Sequence, residues 1–160
     1  LNSREYNFYR HVKDINSIVD IFGLDWNYFL TDSNGETYYH GRADDKASME
    51  DVAKRHAKTE GTDGARFGEG DKMSRVTEVG SEKDLVRGIE QRGAEENKLL
   101  GYNSDKARGN KINGISEAKQ GTPKGRERLG LADDLLDGKK VSDLPSLQEL
   151  EFDKKFKGCK

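Results

Sequence analysis

The sequence predicts an α+β fold: a small three-stranded antiparallel sheet flanked by helices, with an extra N-terminal helix and a weakly structured C-terminal tail. Three observations carry this. Two strand-like runs, Trp26–Thr31 and Glu36–Arg42, flank Asp32-Ser33-Asn34-Gly35. Asn-Gly between apolar-rich runs is the strongest short-range hairpin signal, because both residues tolerate the positive φ of a tight turn. Lys72–Val79 then alternates Met73, Arg75, Thr77 and Val79 against Ser74, Val76 and Glu78, the period of a third strand. Around these runs lie segments with helical periodicity and helix caps.

Ser3–Phe22 reads as the N-terminal helix. Tyr9, Val12, Ile15, Ile18, Val19 and Phe22 recur at three- and four-residue steps, and Gly23 ends it. Ser48–Lys58 reads as a second helix, with Ser48 as N-cap and Glu50 and Asp51 in the first turn. Thr59–Asp71 carries Gly61, Gly64, Gly68 and Gly70 and reads as a loop. Ser81–Leu99 reads as a third helix with Ser81 at its start and Leu85, Val86 and Ile89 on its apolar stripe. Gly88 and Gly93 lie inside it; each costs about 1 kcal/mol relative to alanine, which close approach to a neighbouring backbone would justify. Gly101–Gly114 reads as a loop with an extended piece at Asn110–Asn113, and Leu129–Leu136 as a short helix. Beyond Gly138 only Leu147, Leu150 and Phe152 are expected to dock on the body.

Charged residues make up 36% of the 160-residue chain and hydrophobic ones 32%, so the core must be small for the length. The net charge of -2 neither points to nucleic acid nor excludes it; distribution matters more. Lys106–Arg128 is rich in basic residues, and Asp133–Asp153 is acidic by contrast. Cys159 is the single cysteine, which rules out an internal disulfide and a cysteine-based zinc site. His11, His40 and His56 lack zinc-site spacing. No apolar run approaches the roughly eighteen residues of a membrane span. A chain that starts at Leu1 without a signal peptide is expected to be a fragment of a larger protein.

The order hairpin, helix, strand, helix with Glu90 resembles the GIY-YIG nuclease domain over Trp26 to Ile115. Arg87-Gly88-Ile89-Glu90-Gln91 followed by Asn110-Lys111-Ile112-Asn113 is most similar to the C-terminal toxin domains of bacterial polymorphic and contact-dependent growth inhibition systems. The resemblance divides the chain into an N-terminal helix (1–23), a nuclease-like core (24–118) and a C-terminal extension (119–160). It makes Tyr28 the first-motif tyrosine, with Trp26 in the usual glycine place. Tyr39-His40-Gly41 stands as the second motif, with His40 in the usual aliphatic place and basic Arg42 next. Arg55 stands for the arginine of the following helix, beyond an insertion around Asp45–Met49, with His56 beside it. Glu90 stands for the metal-holding glutamate, and Asn110 or Asn113 for the late asparagine.

The implied activity is metal-dependent endonuclease cleavage of phosphodiesters, with DNA the default substrate and RNA or transfer RNA the alternative. Mg²⁺ or Mn²⁺ on Glu90 suits phosphate oxygens, because such a hard cation keeps several waters and needs few protein ligands. Tyr28 is the implied general base, which requires its pKa to fall well below the ordinary value of about 10. Arg55 would clamp phosphate oxygens with its planar fork. Tyr39 would position water, and Arg42 and His56 would assist with phosphate or proton transfer. The implied partners are nucleic acid and a cognate immunity protein. The implied setting is an exported bacterial protein whose toxin domain acts in the cytoplasm of the target cell. A different class of reading is a catalytically inactive nucleic-acid- or protein-binding module on the same scaffold.

Overall fold

The hairpin forms where the Asn-Gly signal places it, although of the two residues only Gly35 takes a positive φ. β1 (Asp25–Thr31) pairs antiparallel with β2 (Thr37–Asp44), placing Tyr28 opposite Gly41 and Asn27 opposite Arg42. In the turn, the Asp32 carboxylate accepts from the Asn34 and Glu36 amides at 2.9 and 3.0 Å, and Gly35 takes a φ of +80°. The structure, a computed structural model, describes residues 25–58, 60–61, 64–99, 108–110 and 112–158. The N-terminal helix expected over Ser3–Phe22 lies outside them.

The fold is α+β, and its main sheet has four strands, not the expected three. A two-residue pair, β3 (Glu60–Gly61) with β4 (Gly64–Ala65), stands apart in the glycine-rich loop. The main sheet runs β2-β1-β5-β6, antiparallel throughout, with β5 at Lys72–Arg75 and β6 at Gln148–Glu151. β5 stops at Arg75 rather than Val79. The Asn27 amide there donates to the Thr77 hydroxyl at 2.7 Å, so a side chain takes the place of the next ladder carbonyl.

β6 overturns the expectation of a weakly structured tail. It satisfies the outer edge of β5, and the chain then turns through a 3-10 segment (Lys154–Lys157) that buries Phe156. Phe152 and Phe156 pack on Phe67, with ring centroids 5.6 and 6.4 Å away. Leu150 and Phe152 dock as expected, whereas Leu147 stays 44% exposed.

α1 (Met49–Lys58) begins where the sequence places it. The Asp51 amide donates to the Ser48 hydroxyl at 3.1 Å, and the Ser48 amide donates back to the Asp51 carboxylate at 3.0 Å. Val52, Ala53 and Ala57 of α1 join Trp26, Tyr28, Leu30 and Met73 in one core cluster. α2 (Lys83–Leu99) contributes Ile89 to a second cluster with Phe29, Val76, Ala132 and Leu136. After a single turn, α3 (Glu117–Gln120), the chain enters α4 (Pro123–Leu136). α4 starts six residues earlier than the expected Leu129, because Thr122 caps it and Pro123 fits the first turn.

Gly88 has the backbone approach the sequence suggested, whereas Gly93 makes room for a side chain. A β-carbon on Gly88 would sit 2.0 Å from the Arg128 carbonyl oxygen on α4, and one on Gly93 would sit 2.4 Å from the His40 ring. Asn110–Asn113 forms no strand among its described residues; Asn110 meets β2 with its side chain instead. No helix among the described residues is long and apolar enough to cross a membrane.

Candidate active site

β2 is an edge strand, and the candidate residues gather around that edge. Gly41 makes this possible. A β-carbon there would fall 2.4 Å from the Tyr28 hydroxyl, so glycine lets Tyr28 lie against the β2 backbone. Tyr28 and Tyr39 are neighbours, with ring centroids 6.2 Å apart. His56 of α1 packs its ring edge on Tyr39 at 5.1 Å and holds Tyr28 with Nε2 2.6 Å from the hydroxyl oxygen.

Arg66 completes the cluster and was not singled out from the sequence. Its guanidinium lies 4.4 Å over the Tyr39 ring, and Nη1 is 3.2 Å from His56 Nδ1. Arginine only donates, so Nδ1 is the acceptor and the imidazole proton sits on Nε2. Nε2 therefore donates to the Tyr28 oxygen, leaving the Tyr28 proton for its hydrogen bond with Tyr39. Arg66 follows β4 in the glycine-rich loop, where no periodic pattern marks it; buried Phe67 anchors it.

Burial sets the protonation states. Desolvation pushes the Tyr28 hydroxyl well above its ordinary range, with neighbouring Tyr39 and the Glu90 carboxylate adding to it and Arg55 and Arg66 opposing. Tyr39 is raised for the same first reason. His56 is pushed down to about 3, by burial and then by Arg66 and Arg55, so it is a neutral imidazole. The expected fall in the Tyr28 pKa is thus reversed in the chain itself: Tyr28 is a neutral phenol that donates and accepts.

On the other side of the edge, Arg42 bridges two carboxylates. Its Nε donates to Glu90 and its Nη1 to Asp25, each at 3.0 Å. Glu90 therefore pairs with Arg42. Burial raises the Glu90 pKa and Arg42 opposes the rise. The Arg42 bond uses one carboxylate oxygen.

Among the described residues there is no group of three or more acidic, histidine or cysteine side chains with metal-site geometry. Half-buried Glu90, with Asp25 on the same guanidinium, fits a cation that keeps most of its water and borrows phosphate oxygens, which is the habit of Mg²⁺ and Mn²⁺.

The remaining candidates fall in different places. Arg55 lies on the exposed face of α1, and its charge reaches Tyr28 and His56. Asn110 is buried and clamps β2: it accepts from the His40 amide at 2.9 Å and donates to the His40 carbonyl at 2.7 Å. That is an edge-covering role. Asn113 is half-buried in the same loop, and a β-carbon on the next residue, Gly114, would touch Glu90 at 2.9 Å. Trp26, in the place of a motif glycine, is buried and donates to the Asp44 carbonyl at 3.0 Å, tying the two strand ends together.

No protein-family model, no curated protein and no solved structure matches the chain. The functional reading therefore stands on these residues and their geometry.

Proposed function

We propose that the chain is a metal-dependent endonuclease of the GIY-YIG type. The observation that carries this is the meeting of Tyr28, Tyr39, His56 and Arg66 around one strand edge, with Glu90 close enough for its charge to bear on both tyrosines. Phosphodiester hydrolysis needs a directed water, charge neutralisation at phosphorus and a protonated leaving oxygen. Mg²⁺ or Mn²⁺ held by Glu90 would supply Lewis-acid neutralisation and acidify bound water.

The chain's own residues do the rest. Arg66 and Arg55 present positive charge to the phosphate oxygens beside Tyr28. Tyr39 donates a hydrogen bond to a phosphate oxygen, and solvent water protonates the departing oxygen. Tyr28 orients the attacking water and takes its proton when it is a phenolate, a form stabilised by the Nε2 proton of His56. DNA is the default substrate and RNA the alternative. In the same reading the domain is an antibacterial toxin, released into a target cell's cytoplasm and covered at this edge by a cognate immunity protein.

The raised Tyr28 pKa favours one other reading, a binding module without turnover. Cleavage of supercoiled plasmid and of total RNA, with Mg²⁺ and with EDTA, separates the two. The expected result is metal-dependent cutting that Glu90→Ala and Glu90→Gln both abolish. Unimpaired cutting by both variants would sink the proposed role of Glu90. Binding without any cutting by the folded chain would establish the second reading.

A further inference from the structure

Asp84, Arg87 and Glu90 recur at three-residue steps on α2, so successive side chains lie about 5–6 Å apart on one stripe. Both carboxylates are taken by residues from other elements. Arg128 Nε donates to Asp84 at 2.7 Å, and Lys124 grips the same carboxylate. Arg42 Nε donates to Glu90 at 3.0 Å. Arg87, between them, has a buried Nε with no hydrogen-bond partner among the described residues. Burial, the positive charges of Arg42 and Arg128, and the opposing negative charges of Glu90 and Asp25 all bear on its guanidinium. All three guanidiniums are open to solvent in part: Arg87 is half-buried, and the Arg42 and Arg128 side chains are 32% and 20% exposed.

Three guanidiniums close enough for their charges to bear on one another, with the half-buried Arg87 paired to neither carboxylate, suit an anion that the solvent-open end of its guanidinium can grip with two parallel hydrogen bonds. The i, i+3, i+6 row that carries Asp84, Arg87 and Glu90 runs oblique to the helix axis. We propose that Arg87, flanked by Arg42 and Arg128, is a phosphate-binding subsite that takes the nucleic-acid backbone beside the phosphate attended by Glu90. The identity of the polymer rests on the nuclease reading; the anion site does not.

The test is binding of labelled duplex DNA and labelled transfer RNA to the full chain in EDTA, over a series of salt concentrations, so that cutting plays no part. Arg87→Gln is expected to weaken binding of the preferred polymer about tenfold, the loss of one charged hydrogen-bonding group. It should also make the salt dependence shallower by about one counterion. Arg87→Lys should keep the salt slope while losing part of the affinity. Lys154→Gln, on the far 3-10 turn, should bind as the parent does.

Inorganic phosphate should raise the melting temperature of the parent and not of Arg87→Gln. If that holds while plasmid and RNA both stay intact, the subsite stands and the nuclease reading falls. Unchanged affinity and slope in a folded Arg87→Gln overturn the subsite, whatever the chain cuts. So does a loss that Lys154→Gln reproduces, or a parent chain that binds neither polymer and does not respond to phosphate.

Discussion

The Tyr28 hydroxyl lies 2.6 Å from Nε2 of His56, and Arg66 occupies the other imidazole nitrogen at 3.2 Å. The direction of the donors is therefore fixed, from Arg66 through His56 to the Tyr28 oxygen. Tyr28 is buried and its pKa raised, so its phenolate is a minor form at neutral pH. If the phenolate is the base, the rate rises tenfold per pH unit through the alkaline range and levels off only at the Tyr28 ionisation. Tyr28→Phe should lose about 10²–10⁴-fold in cleavage and flatten that rise. A Tyr28→Phe rate and profile matching the parent's would remove Tyr28 from the chemistry.

Arg66 and Arg55 divide the positive charge near Tyr28, and their settings differ. Arg66 covers the Tyr39 ring and contacts His56, whereas Arg55 lies on an exposed helix face. A desolvated charge does more for a developing phosphorane than a solvated one. Arg66→Ala should reduce kcat by about 10²–10³-fold, and Arg55→Ala by much less. The reverse order in single-turnover rates would return the clamp to Arg55.

Both described buried histidines make the fold sensitive to acid. His40 and His56 are each held near 3 from an ordinary 6.5, chiefly by burial. The unfolded chain binds more protons between those values, so stability is full above pH 6.5 and falls as pH drops toward 3. Each histidine contributes a slope of about 1.4 kcal/mol per pH unit in that window. Asp51 and Asp84, both lowered by their partners, add losses of the same sign at the acid end, and Glu90, raised by burial, works the other way. Urea midpoints should fall steeply from pH 7 to pH 4.5, and less steeply in His56→Gln. A flat midpoint over that range would show that neither histidine is buried as described.

Much of this was written locally and could be read. The Asn34-Gly35 turn, the Ser48 cap and the alternation from Lys72 each depend on near neighbours in sequence. The Tyr28–Tyr39 approach follows once the hairpin register is set. What escaped reading depends on distant partners. β6 reads Gln-Glu-Leu-Glu, mostly exposed, and becomes a strand because β5 offers it an edge. Arg66 reaches the site through a two-residue strand pair and one buried phenylalanine. Asn110 carries an asparagine's preference for backbone groups, but the strand it clamps is 70 residues away.

Glycines inside helices separate propensity from packing. Gly88 is closed off by the Arg128 carbonyl, so Gly88→Ala must push α2 and α4 apart. Gly130, within α4, has nothing within 4 Å of a built β-carbon. Gly130→Ala should stabilise by about 0.5–1 kcal/mol through helix propensity alone. Gly88→Ala should destabilise by about 1–3 kcal/mol despite the same gain in propensity. Thermal melts of the pair check this, and equal shifts would deny the close α2–α4 contact.

The C-terminal residues are part of the fold rather than an appendage to it. Phe156 is 1% exposed and stacks on Phe67, which is fully buried in the cluster that also holds Val52 and Ala53 of α1. That cluster supports the helix carrying His56. Phe156→Ala should cost about 3–5 kcal/mol by leaving a cavity under α1, whereas Leu147→Ala, at a 44% exposed side chain, should stay within about 0.5 kcal/mol. Because the loss falls beneath His56, Phe156→Ala should also lower cleavage at temperatures where the protein remains folded. Denaturant midpoints and rates measured on the same samples check both effects. A Phe156→Ala variant as stable as the parent would mean that residues 148–157 do not pack where they stand here.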